Sequence, residues 1–247
     1  MRTILSVLVL VVLATGVYAA LPGDIIFYMP FDDGAGGAVK DLSGHGNNGS
    51  IQGNTDWRNG KYGGALYLDG ATNVTVPNAA PLASLSNPMS VGVWVNPEIL
   101  GGWRNIVEMD GAAGWKLGFA DPNTLVWTTY HVKDFIGQAP VDEGQWSHAA
   151  VTWDGAQAIL YINGEPDSGG PIAGGGVINV SGEPSLDIGY RSTSASSYFQ
   201  GLIDDLWISN AVKSQAEIQD LMNGLGTETA VEPGGKLTTT WGKLKVN

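Results

Sequence analysis

Short apolar runs alternate with glycine-containing turns along almost the whole chain. The runs are Ile25–Phe31, Ala65–Leu68, Val74–Val76, Ser90–Val95, Asn105–Met109, Trp115–Phe119, Leu125–Tyr130, His148–Trp153, Ala158–Ile162, Leu186–Tyr190 and Leu202–Ile208. Most are rich in β-branched and aromatic residues and too short for helices, so they predict strands. Asp-Gly pairs at 33–34, 69–70, 110–111 and 154–155 and Asn-Gly pairs at 48–49, 59–60, 163–164 and 223–224 punctuate them. Such pairs supply the positive φ of tight hairpin turns. Regular short strands with turn signals between them predict an all-β sandwich or barrel. The stretch from Trp146 to Pro166, WSHAAVTWDGAQAILYINGEP, reads as one hairpin. Ala150 and Thr152 face one way and Val151 and Trp153 the other, with the same alternation on the return strand. Both faces carry apolar groups, as in stacked sheets.

One helix is predicted. Ser214-Gln215-Ala216-Glu217 is a capping box, followed by a stripe of Ile218, Leu221 and Met222, with Gly224 or Gly226 as the left-handed stop. The helix is expected at the sandwich edge. The segments are thus residues 1–20, a domain over 21–226, and a tail over 227–247 with a Pro-Gly-Gly break. Met1–Ala20 has the pattern of a secretory signal peptide: Arg2, an apolar Ile4–Ala14, and small residues before a cleavage point at Ala19 or Ala20. The apolar run is shorter than the ~18 residues a membrane span needs. A secreted, periplasmic or cell-envelope location is therefore expected, with no membrane span after cleavage.

Charge and cysteine content narrow the partners. The net charge is −12, with 12 Lys+Arg against 24 Asp+Glu. Loss of the signal would remove Arg2 and leave the balance more acidic still. Such a chain repels a phosphate backbone, so nucleic acid is not expected as a partner. The absence of cysteine excludes thiolate catalysis and thiolate metal sites.

In order, the segments YMPFDDGAGG, VKDLSGHGNNGSI, GALYLDG, MSVGVWVNP, WSHAAVTWDGAQAILYINGE and YFQGLIDDLWISNAVKSQAEI make the chain resemble laminin G-like domains of the concanavalin A-like lectin/glucanase superfamily, in their bacterial secreted form. The resemblance runs from about Asp24 to Gly224. It implies an antiparallel two-sheet jelly roll, with the first and last strands adjacent and one short C-terminal helix. It implies less about function, because this fold hosts lectins, adhesion modules, glucanases and spacers.

Hydrolysis is not expected. Glucanases of the resembled superfamily carry Glu-x-Asp-x-x-Glu on one strand. Here Glu108 and Asp110 match the first two positions, but Gly111, Ala112 and Ala113 follow. A carboxylate without a partner to protonate the leaving group cannot complete the reaction, and Glu108 and Asp110 read as a strand end and turn. His45, His131 and His148 fall in no metal-ligand motif, and no Gly-x-Ser-x-Gly elbow is present. His148 reads as a structural histidine.

Two binding chemistries remain. If first and last strands are neighbours, Asp32 and Asp204 meet near the loop DLSGHGNNG, which adds Asp41 and Asn48. Six to eight oxygens at ~2.3–2.6 Å hold a calcium ion, so Ca2+ is expected as a structural staple on these four residues. The alternative is a plain turn. The second chemistry is carbohydrate binding. Trp103, Tyr130, Arg191 and Tyr198 are the candidates, because exposed aromatic faces stack on sugar rings and nearby polar groups bond the hydroxyls. The expected function is a non-catalytic binding module for a polysaccharide or other glycan. A protein-adhesion module, with an envelope protein as partner, stands second, and a hydrolase or lyase third.

Overall fold

The computed structural model describes residues 21–77, 79, 82, 85, 88–109, 114–178, 180, 185–190 and 197–225. The expected signal segment, the tail, Asp110 and Arg191 lie outside the described residues. The strands assemble into two antiparallel sheets. One runs β14 (Glu165–Pro166), β13 (Gln157–Ile162), β12 (Ser147–Trp153), β7 (Met89–Pro97), β17 (Gln200–Ser209), β5 (Gly64–Asp69), β4 (Asp56–Asn59). In this sheet β1 (Ile25–Met29) also pairs with β17, and β15 (Ile172–Ala173) with β13. The other runs β11 (Lys133–Pro140), β10 (Thr124–Thr129), β9 (Trp115–Ala120), β8 (Arg104–Met109), β16 (Leu186–Ile188), β6 (Asn73–Val76), β3 (Gly49–Gln52), β2 (Ala38–Val39). This is the jelly-roll sandwich, and the first strand lies beside the last, with Tyr28 opposite Trp207.

Alternation sorts the side chains. Val91, Val93, Val95, Val151, Trp153 and Leu160 point inward from one sheet, and Val107, Met109, Trp115, Leu117, Trp127 and Ile188 from the other. Trp115 and Trp127 stack with centroids 5.2 Å apart, a geometry that adds about 0.5–1.5 kcal/mol to the gain from burial. The quoted hairpin is β12–β13, with Asn163 (φ 53) and Gly164 (φ 77) forming a left-handed two-residue turn after it. At Asn59-Gly60 the glycine does a different job. It has no positive φ, and a Cβ there would sit 2.0 Å from the Gly64 carbonyl oxygen. Close approach, not turn geometry, requires it.

The last strand breaks alternation once. Ile203 and Leu206 both face the core, with Asp204 and Asp205 between them. The register against β7 shifts there, and Asp205 has φ 47. The bulge sets both aspartates on the outer face. It is also where β17 changes neighbour, pairing with β5 before it and with β1 after it.

Helix α1 (Gln215–Leu221) begins with the predicted capping box, Ser214 and Glu217 bonding reciprocally. Gly224 (φ 94) follows its end. The helix does not sit at the sandwich edge. Ile218 and Leu221 pack on Ile25, Tyr28, Ala150, Tyr161 and Trp207, which is the outer face of the nine-stranded sheet. That explains the second apolar face of β12 and β13. Burying Ile218 and Leu221 contributes roughly 1.5–3 kcal/mol each. Lys213, itself buried, ties the helix start to Asp24 at 2.6 Å.

Trp207 fits only because β7 carries Gly92. A Cβ on Gly92 would lie 2.2 Å from the indole Cζ2, whereas one on Gly23 would meet nothing within 4 Å. Gly92→Ala is expected to lower stability by about 1–3 kcal/mol through overpacking, and Gly23→Ala to change it by less than about 0.5 kcal/mol. Urea unfolding followed by tryptophan fluorescence measures both.

Candidate functional site

A polar row crosses the outer face of the eight-stranded sheet. Cross-strand neighbours run Thr75, Asp187, Glu108, Lys116, Thr128, Asp134, on β6, β16, β8, β9, β10 and β11. Each charged member in the middle stands between two core residues: Asp187 between Leu186 and Ile188, Glu108 between Val107 and Met109, Lys116 between Trp115 and Leu117. Glu108 is the next-to-last residue of its strand, at the strand end expected for it. It lies within β8 and is fully buried (0 % exposed).

A bulge completes its surroundings. Asn105 and Glu108 are three residues apart, and strict alternation would place them on opposite faces. The register shift between Asn105 and Val107 brings the Asn105 amide round, and Asn105 Nδ2 donates to Glu108 Oε2 at 2.6 Å. Tyr130 OH donates to the same oxygen at 2.5 Å. Asn105 Nδ2 also reaches the Tyr190 carbonyl at 3.2 Å. Asp187 accepts the Thr75 hydroxyl at 2.9 Å and the Ser185 hydroxyl at 3.0 Å. Thr128 Oγ1 donates to Asp134 at 2.5 Å.

Beside this floor is a pocket of about 780 Å³, lined by Trp103, Lys116, Thr128, Tyr130, Asp134 and Ser197 among others. Trp103 is 38 % exposed, and the Lys116 ammonium lies 4.6 Å from the centre of its ring. The Tyr198 ring packs against that of Tyr190 at 4.6 Å with a tilt of 38°, and the Tyr198 carbonyl accepts from Arg104 Nη1 at 3.3 Å. Of the residues expected to bind carbohydrate, Trp103 and Tyr130 line one pocket. Tyr198 directly follows the lining residue Ser197, and Arg191 lies outside the described residues. Sequence reasoning missed Asn105, Lys116, Asp187 and the role of Glu108. The available signal was a charged residue flanked by two apolar residues inside a strand. The bulge that turns Asn105 inward left none.

The four residues expected to hold calcium separate into two hydrogen-bonding systems joined through Tyr28. Asp41 accepts the N–H groups of Tyr28, Ser43 and Asn47 and the Asn47 amide at 2.9–3.2 Å. Asn48 Oδ1 accepts the Asp41 N–H at 2.9 Å. Their oxygens organise the loop. Asp32 and Asp204 instead hold the turn between β4 and β5, accepting from Gly64 N at 2.5 Å and Tyr62 N at 3.0 Å. Asp205 accepts from Tyr28 OH at 2.6 Å, and that hydroxyl also contacts the Leu225 carbonyl. Asp204 Oδ1 and Asp205 Oδ2 are buried without a partner. Among the described residues no three His, Cys, Asp or Glu side chains gather so as to hold a metal ion.

Burial, and then the charge of Asp205, pushes the Asp204 carboxyl up to about 8. Burial raises Asp205 to about 7, against the opposing hydrogen bond from Tyr28. His148 lies nearby in the row, opposite Trp94, which is in turn opposite Asp204. It is fully buried between the Trp94 and Trp207 rings at 5.4 and 6.3 Å, with neither ring nitrogen partnered. Burial lowers it to about 3, so it is neutral. It is a structural residue, as read from the sequence, but without the partners expected of a satisfied histidine.

Residues 68–219, more than half of the chain, match the laminin G-like model of the concanavalin A-like lectin/glucanases superfamily. The chain belongs to that superfamily. No curated protein matches it. Among solved structures, domain 4 of AbnA, a GH43 extracellular arabinanase from Geobacillus stearothermophilus, in complex with arabinotriose, superposes with a TM-score of 0.64 at 22 % identity, covering 80 % of this chain and 98 % of that one. The botulinum neurotoxin DC binding domain in complex with SialylT gives 0.61 at 16 % identity, covering 82 % and 52 %. The same domain in complex with rat synaptotagmin II gives 0.58 at 16 %, with the same coverage. This chain thus spans about half of the neurotoxin domain. At these identities the likeness establishes the fold.

The aspartate pair fixes the sign of a pH effect. A carboxyl with a raised pKa in the fold holds its proton more tightly folded than unfolded, so its contribution is full below about pH 4 and is lost as pH rises to about 8. His148 acts oppositely, and stability falls as pH drops below its ordinary value of 6.5. Asp204→Asn is expected to raise the melting temperature at pH 8, with a gain that shrinks toward pH 5. Calorimetry at both pH values measures it, and an equal shift at the two would contradict the assignment.

Proposed function

We propose that the pocket on the outer face of the eight-stranded sheet is a glycan-binding site, and that the protein is an exported, non-catalytic carbohydrate-binding module. One observation carries this reading: an exposed indole, Trp103, stands over a polar floor whose groups are already fixed by hydrogen bonds. A sugar ring offers an apolar face and a rim of hydroxyls, and such a site matches both. Groups held in place before binding lose little entropy when the ligand arrives. The arabinotriose complex of the arabinanase domain, which this chain covers almost completely, supports it as a case where this fold is found with a sugar.

Catalysis is disfavoured by the position of the carboxylates. A hydrolase needs two carboxyl groups on either side of the bond it breaks, about 5–9.5 Å apart with substrate between them. Glu108 and Asp187 are side by side on adjoining strands, at 0 % and 3 % exposure, and neither lines the pocket. Export rests on the Met1–Ala20 pattern. Among the described residues no helix is long and apolar enough to cross a membrane.

A protein partner is the second reading. The apolar side chains of Val132 and Ile136, exposed on the β10–β11 hairpin, favour it, and the neurotoxin domain has been captured with synaptotagmin. A structural calcium ion, expected on Asp32, Asp41, Asn48 and Asp204, belongs to the proposal, supported by the carboxylate oxygens of Asp204 and Asp205 that are buried without partners. A divalent charge there would offset their repulsion. In that case millimolar calcium raises the wild-type melting temperature at pH 8 and leaves Asp204→Asn unmoved.

A glycan array tests the main reading. Wild-type protein is expected to bind a restricted set of glycans. Trp103→Ala should weaken that binding about tenfold, in line with the ~1.4 kcal/mol of a lost aromatic stack, with no loss of fold by circular dichroism. Silence across a broad array, with capture of an envelope protein through Val132 and Ile136, would favour the second reading.

A further inference from the structure

The polar row crosses six strands, but the pocket does not follow it. Asp134 at one end is exposed and Thr75 at the other is half-buried. Between them exposure falls to 5 % at Lys116, 0 % at Glu108 and 3 % at Asp187. Every strand residue lining the pocket belongs to β9, β10 or β11, and none to β8, β16 or β6. The hydroxyl of Tyr130 and the amide of Asn105 converge on Glu108 where the row goes under cover. The pocket therefore spans two interstrand gaps, roughly 10 Å, and ends at β8. A polymer lying along the whole row would need roughly 25 Å of open floor.

The charges of the open part are accounted for locally. Lys116 stands opposite Glu108. Asp134 holds the Thr128 hydroxyl. Lys133 directs its ammonium to the Ala173 carbonyl at 2.7 Å. Two cations, Lys116 and Lys133, thus stand against two anions, Asp134 at the pocket and Glu108 buried behind it, and a neutral ligand leaves this balance intact.

We propose that the pocket takes the terminus of a neutral glycan chain, not an internal segment. This rests on reading the pocket as a glycan site. A closed end at β8 admits the last rings of a chain and stops them at Tyr130, behind which Asn105 and Glu108 are buried. The rest of the polymer leaves past Trp103 and the β10–β11 hairpin into solvent.

Chain length separates the alternatives. Linear arabinan, xylan, galactan, mannan and laminarin, the trisaccharide of each, and alginate as the acidic polymer are titrated by calorimetry against wild-type protein and Trp103→Ala. For the sugar that binds, affinity per mole of chains is expected to be the same for trisaccharide and polymer. Affinity per mole of sugar residues then falls in proportion to chain length, and Trp103→Ala loses both. Affinity per residue that holds or rises with length would overturn terminus recognition. Preference for alginate would overturn the neutral assignment, and undiminished binding by Trp103→Ala would place the sugar elsewhere. No binding by any of them would instead count against the glycan reading itself, and the proposal would fall with it.

Discussion

The two-residue alternation of side chains along the strands is the constraint on which everything else hangs. On the eight-stranded sheet it sends Val107, Met109, Trp115, Leu117 and Trp127 into the core, so the residues between them have no choice but to face outward. Glu108, Lys116 and Thr128 stand in line because their neighbours are needed inside. A one-residue slip of β9 would put Lys116 among tryptophans and Trp115 on the floor of the pocket. The same hydrophobic pattern that stabilises the sandwich thus sets the register of the site.

Bulges supply what alternation cannot. In β8 the register shift carries Asn105 to the side of Glu108, and two donors then hold one buried carboxylate oxygen. In β17 the bulge turns two successive aspartates outward at the point where the strand exchanges β5 for β1. One bulge brings two donors onto a buried carboxylate under a pocket, with Asn105 Oδ1 left unpartnered. The other leaves carboxylate oxygens buried without partners, a costly arrangement that a cation, a proton or an ordered water would relieve. The buried neutral His148 and the Trp207 ring lie on that same outer face, sealed by α1.

Much of the fold was legible because it rests on local rules. The long apolar strands, the Asn163-Gly164 turn and the Ser214–Glu217 capping box each announce themselves within a few residues. β11 did not, because KDFIGQAP is an edge strand with Ile136 turned outward and a core contribution of little more than Phe135. The site was legible only in its aromatic parts. Trp103, Tyr130 and Tyr198 stood out as aromatics near loops. Glu108 is the strand end that the sequence suggests, but its partners lie across strands, where a motif read along the chain does not reach. Asp41 and Asn48 were read as oxygen donors to an ion; that the N–H groups of their own loop also point at these oxygens was not legible in the sequence.

The placement of a sugar over Trp103 is measured most directly by two-dimensional NMR of the indole N–H groups during titration with the tightest-binding glycan. The nine tryptophans give resolved probes in both sheets and in the loops. The Trp103 indole is predicted to shift with saturation, while those of Trp94, Trp153 and Trp207 on the nine-stranded sheet stay fixed. A saturable shift at Trp57 or Trp146 with Trp103 unmoved would contradict the pocket as the binding site.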